Sequence, residues 1–210
     1  MIPIAGATRI ARVNLIDLDP LPPPAGELLT HWFGPADVYG KSRPEWFRKD
    51  PDFDNQLRDR FLSLVESAAR GELQDWEAHS RGCLALLILL DQLPRNLFRG
   101  KARAFATDPE ARRVCRHVLH QGWDRRFLPV ERMFVYLPLE HSESMPDQDE
   151  CHRLMLELGP YPETASLHEW AEKHRAIIRR FGRFPHRNAA LGRESSPEEV
   201  EFLKTPGSSF

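Results

Sequence analysis

Apolar residues recur along this chain at helical spacing, and almost nowhere at the two-residue spacing of a strand. Between Asn55 and Arg70, the residues Leu57, Phe61, Leu64, Val65 and Ala68 share one face, and Gly71 follows where a helix closes in a left-handed residue. From Ser80 or Arg81 to Leu93 the chain is apolar nearly all round, as in a helix buried on every side. Pro94 is expected to end or kink it. Asp108-Pro109 reads as an N-cap followed by proline at the first helical position; Ala111, Val114, Cys115, Val118 and Leu119 then form a stripe that Gly122 closes. Pro129 to Leu137 reads as a helix stopped by Pro138, and Asp147 to Leu158 as one stopped by Gly159. The clearest stripe is Trp170, His174, Ile177, Ile178 and Phe181, ended by Gly182. Ser196-Pro197-Glu198-Glu199 has the form of a capping box ahead of Val200, Phe202 and Leu203.

This pattern predicts an all-α fold of about eight helices joined by short connections, packed as a bundle or as a tetratricopeptide-like superhelix of helical hairpins. Residues 26–210 read as a single all-α domain, and residues 1–25 as an N-terminal strap ending in the prolines 22–24. A chain of 210 residues is long enough for one sizeable core.

Composition narrows the function classes. A net charge of −2 argues against binding driven by total charge. Within residues 91–132 and 171–193, however, basic side chains outnumber acidic ones, which favours an anionic partner at those places. The three cysteines, Cys83, Cys115 and Cys151, form no CxxC pair, so neither a zinc knuckle nor a disulfide framework is read, and a reducing, cytoplasmic compartment fits. The longest apolar run, Cys83 to Leu90, is far short of the roughly 18 residues of a membrane helix. HExxH, GxGxxG, Walker and GxSxG patterns do not occur, so no metal site or cofactor is assigned.

Three segments carry polar residues that a plain bundle does not need. Asp91-Gln92-Leu93-Pro94-Arg95-Asn96 follows the most apolar stretch, and a buried Asp91 needs a cationic partner, Arg95 one turn on or an arginine from another helix. Glu140-His141-Ser142-Glu143 sets two carboxylates around an imidazole, a pattern suited to acid–base work. Arg183-Phe184-Pro185-His186-Arg187-Asn188 clusters guanidinium forks that suit a carboxylate or phosphate. The plain structural reading is that these charges answer one another inside the fold. His174, within an apolar stripe, reads as a core histidine.

The chain also resembles the bacterial family catalogued as domain of unknown function 924. The resemblance rests on Trp32-Phe33-Gly34, on Trp46 to Asp50, on Phe53-Asp54, on DQLPRNLFRG ending at Gly100, on YLPLEHSES, on RFGRFPHRNAALGR, and on Glu199, Phe202 and Leu203. It covers Leu28 to the C-terminus, with Leu93 where the family often has Phe and Ser144 where an acidic residue is usual. The resemblance implies an all-α, tetratricopeptide-like fold and assigns no activity.

The expectation is that the three segments converge at helix ends into one polar pocket. Glu140, His141 and His186 are the acid–base candidates. Asp91, Arg95, Asn96, Glu143, Arg183, Arg187 and Asn188 are the candidate ligand-binding residues. Two functions compete: a site for a small anionic ligand, in an enzymatic version of hydrolase type, and a helical scaffold holding a peptide or protein partner. The first expects the polar tips within hydrogen-bond reach and open to water; the second expects them paired and shut away, with an exposed apolar groove elsewhere. A nucleic-acid role ranks third, because no recognised binding motif supports it.

Overall fold

The computed structural model describes residues 21–209, and every regular element among them is helical. Residues 1–20 of the strap read at 1–25 lie outside the described residues. Its last three positions do not continue a strap: helix α1, Pro23–Phe33, starts at Pro23, whose fixed φ suits the first helical turn. Helix α2 is Pro51–Ala69, capped by the Asp50 side chain on the backbone N–H groups of Asp52 and Phe53. Then come α3 (Ser80–Leu87), a π-turn (Ile88–Gln92), α4 (Leu93–Leu97), α5 (Asp108–His120), α6 (Pro129–Glu140), α7 (Met145–Leu156), α8 (Leu167–Phe181), α9 (Asn188–Leu191) and α10 (Pro197–Leu203).

One continuous core runs from α1 to the start of α8. Trp32, Phe33, Trp46 and Phe134 meet edge to face at its centre. Helix α3 is buried on every side, packed on α1, α5 and α6, as its unbroken apolar run predicts. Its first turn passes so close to the Trp76 carbonyl that a Cβ on Gly82 would sit 2.1 Å from that oxygen, so only glycine fits. Helices α6, α7 and α8 pack in succession. A small second cluster, Ile177, Ile178 and Phe184 with Met145, Phe181 and Phe202 against it, seats the C-terminal segment.

Three of the four glycine stops hold where expected; the fourth, Gly159, lies beyond the end of α7 at Leu156 and is not left-handed. Gly71, Gly122 and Gly182 all adopt positive φ after their helices. The proline stops do not. Pro138 lies inside α6, which runs on to Glu140, and Pro94 lies inside the first turn of α4. The chain absorbs Pro94 by widening into the π-turn, where the Leu93 N–H reaches back to the Ile88 carbonyl. Pro94 has no N–H to give the Leu90 carbonyl, so the Thr107 hydroxyl donates to it instead, at 2.5 Å. Asp108 is also not the N-cap of α5: Thr107 holds that position and Asp108 is the first helical residue, its carboxylate turned to tertiary partners.

Candidate functional site

The π-turn decides where the site begins. It places Asp91, 1% exposed, at the centre of a polar knot within the core. Both Asp91 carboxylate oxygens face His141 Nδ1, at 2.8 and 2.9 Å; Arg95 Nη1 lies 3.2 Å from Oδ1, and Gln92 Nε2 donates to Oδ2. Burial alone pushes the Asp91 carboxyl up, but Arg95 and His141 overcome it and hold the group well below the usual carboxylate range. Asp91 is therefore an anion, and it fixes the proton of His141 on Nδ1. Nε2 of the neutral ring is left as the acceptor.

His141 follows the last residue of α6, and its position is clamped from below. Gln148, fully buried on α7, donates from Nε2 to the carbonyls of Glu140 (2.6 Å) and Ser142 (2.7 Å). Ser142 in turn donates to Asp147, which takes a hydrogen bond from Arg116. Burial and the Arg95 charge lower the His141 pKa, against the pull of Asp91.

Arg187 enters from the turn Pro185–Arg187. Its Nη1 donates to Asp108 Oδ2 at 3.2 Å, while Arg95 takes the same carboxylate in a fork at 2.9 and 3.1 Å. Asp108 thus bridges two arginines. The Arg187 Cζ lies over two rings, 4.7 Å from the Phe105 centroid and 4.6 Å from that of Phe184. Its Nε is buried and donates to nothing, and its Nη2 makes no hydrogen bond among the described residues. Burial, then the Arg95 charge, brings its pKa down to about 10.

Beside this pair lies a second carboxylate–histidine contact. Glu140 Oε1 is 3.4 Å from His174 Nδ1, which also faces the Trp170 carbonyl at 2.9 Å. The His141 and His174 rings are 6.3 Å apart. Burial, reinforced by Asp91, pushes Glu140 up to about 8, so it carries its proton at neutral pH. Burial lowers His174 to about 3 and His186 to about 4. Burial also raises the cysteine thiols, Cys83 to about 12, so none supplies a thiolate nucleophile at neutral pH.

Of the ten residues singled out in the sequence, the fold gathers six here: Asp91, Arg95, Glu140, His141, His186 and Arg187. The expected single pocket does not take in the other four. Asn96 donates to Asp54 on α2 at 2.8 Å. Glu143 is spent on Arg193 and on the Phe184 N–H. Arg183 forks onto Glu199, and Asn188 is buried against Glu199, Ser195 and Arg193. Three residues were missed. Asp108 carries a local cap signature that two arginines override; His174 shares its stripe with true core residues; Phe105 has no polar group to flag it. Among the described residues no group of three or more His, Cys, Asp and Glu side chains is arranged to hold a metal ion. An open cleft of about 490 Å³ lies elsewhere, lined by Glu27, Thr30, His31, Arg43, Phe53 and Arg60.

Fold and site together define an all-helical protein with a buried histidine–arginine knot built on a π-turn. The chain belongs to the family described as bacterial protein of unknown function (DUF924), whose model matches residues 28–207. It is similar to a solved structure, a protein of unknown function from Agrobacterium tumefaciens, at 41% identity and a TM-score of 0.76, over 86% of this chain and 96% of that one. No curated protein matches the chain. No helix among the described residues is long and apolar enough to cross a membrane.

Proposed function

We propose that the knot binds a small anionic ligand at Arg187, with His141 as the group that moves a proton. The observation that carries this reading is the guanidinium of Arg187: 6% exposed, with a buried Nε that meets no acceptor, in a cluster whose other charges are matched. A buried donor without an acceptor is costly, and an incoming anion removes that cost. Asp91 orients His141 as the carboxylate of a nucleophile-activating pair does, leaving Nε2 to take or give a proton in a hydrolase-type step. Glu140 is a reservoir for a further proton.

A second reading has its own support. The knot's charges are paired with one another and largely shut away, as a scaffold for a peptide or protein partner would have them, and Phe47 and Trp170 stand 61% and 48% exposed. A thermal-shift screen of wild type and Arg187→Ala against phosphorylated metabolites, nucleotides and carboxylic acids separates the two. A ligand at about 100 times its Kd stabilises by roughly 2.7 kcal/mol. Stabilisation of wild type that is lost in Arg187→Ala supports the ligand site. A flat response across the panel, with a badly destabilised variant, moves the reading to the scaffold.

A further inference from the structure

Resting on that ligand-site reading, we infer that the anion taken by Arg187 is a planar carboxylate of a small organic acid, not a phosphate or sulfate. Two observations point there. The first is shape. The Arg187 Cζ sits over the faces of both Phe105 and Phe184, so hydrocarbon covers the guanidinium on those sides. Nη1 is taken by Asp108. What remains is the edge carrying Nε–H and Nη2–H, two parallel donors in one plane. A carboxylate meets such an edge with two oxygens in the same plane. A tetrahedral oxyanion can also present two oxygens to it, but its remaining substituents leave that plane, in surroundings where two phenyl rings already crowd the guanidinium.

The second is charge. Asp91 and Asp108 balance Arg95 and Arg187, Glu140 holds its proton at neutral pH, and burial keeps His141, His174 and His186 inclined to the neutral form. The empty knot is therefore close to neutral overall. A monoanion adds one negative charge, which one proton on His141 offsets. A dianion adds two, and the other arginines of this segment are already spent, Arg183 on Glu199 and Arg193 on Glu143. Burying an unmatched charge is expensive.

The test uses anions that differ in one property at a time: acetate (planar, monoanionic), methanesulfonate (tetrahedral, monoanionic, similar in size) and inorganic phosphate. Binding to the full chain is read by titration calorimetry, with wild type, Arg187→Lys and Phe105→Leu. Acetate is expected to bind at least tenfold more tightly than the other two. Arg187→Lys keeps the charge, loses the fork, and is expected to lose at least tenfold in acetate affinity. Phe105→Leu leaves the fork and uncovers one face, so the preference over methanesulfonate shrinks; this variant keeps the inference testable if Arg187→Lys does not fold. Phosphate or methanesulfonate binding as well as acetate, with loss in Arg187→Lys, overturns the carboxylate inference and leaves the anion site standing. Binding by none of the three overturns both.

Discussion

Two polar clusters in this protein are built from the same kinds of residue and reach opposite states. At the C-terminal clamp, Glu199 accepts from Arg183 Nε and Nη2 at 2.7 and 2.8 Å, from Asn188 Nδ2, and from the Ser196 N–H of its capping box. Fork and backbone together hold its carboxyl down to about 2. At the Asp91–His141–Arg187 knot, the same chemistry leaves donors over, lowers an arginine to about 10 and raises a carboxyl to about 8. A polar cluster that closes its own hydrogen bonds is a fastener. One that carries strain in its protonation states and spare donors is a candidate for work.

That contrast can be broken in four places. The largest effect is expected at the clamp. Glu199→Ala strips the partner from Arg183 and Asn188 and one half of a capping box, so unfolding free energy should fall by about 3 kcal/mol in a denaturant titration. A loss under about 1 kcal/mol would mean the clamp fastens nothing.

Next comes Glu140. Its folded pKa is raised above its unfolded value, so its contribution to stability is fully present below about pH 4.5. That contribution fades as pH rises through about 8. Glu140→Gln removes the titration. The variant should gain on wild type by roughly 2 kcal/mol between pH 6 and pH 9, seen as diverging melting curves. Parallel curves would show that Glu140 is not held protonated.

Arg187→Met keeps the volume against Phe105 and Phe184 while Asp108 retains Arg95. Stability should be unchanged or higher by about 1 kcal/mol, because a buried charge with unmet donors has been replaced by packing. A loss of several kcal/mol would put Arg187 with the fasteners. The smallest effect is expected for Asn96→Ala, which deletes one hydrogen bond to an Asp54 that Arg99 still holds, a loss of about 0.5 kcal/mol.

The fold was legible in the sequence wherever a local rule decided the outcome. Gly71, Gly122 and Gly182 end helices because the left-handed turn needs no help from elsewhere, and Ser196 with Glu199 closes its box within four residues. Pro94 and Pro138 were misread because their effect depends on what else takes up the carbonyl they leave, and Thr107 lies 17 residues beyond Leu90. The site shows the same division. Asp91 with Arg95 is one helical turn of sequence. Asp108 looked like a cap because nothing local reveals that Arg95 and Arg187 both reach for it, 13 and 79 residues away. Asn96, Glu143, Arg183 and Asn188 stand within the same motifs as the gathered residues, and only the fold assigns them to ties and clamps.

The π-turn has one more consequence. It is, in effect, a single residue added to a helix, and everything after it is turned by about 100° relative to an uninterrupted spiral. Removing any one residue from Ile88 to Gln92 would delete no charge from the knot if an apolar residue were chosen. It would nonetheless swing Arg95 off Asp108 and press Pro94 against the carbonyl one turn back. The knot depends on the length of this stretch as much as on its composition, and a one-codon deletion there is a harsher insult than most substitutions.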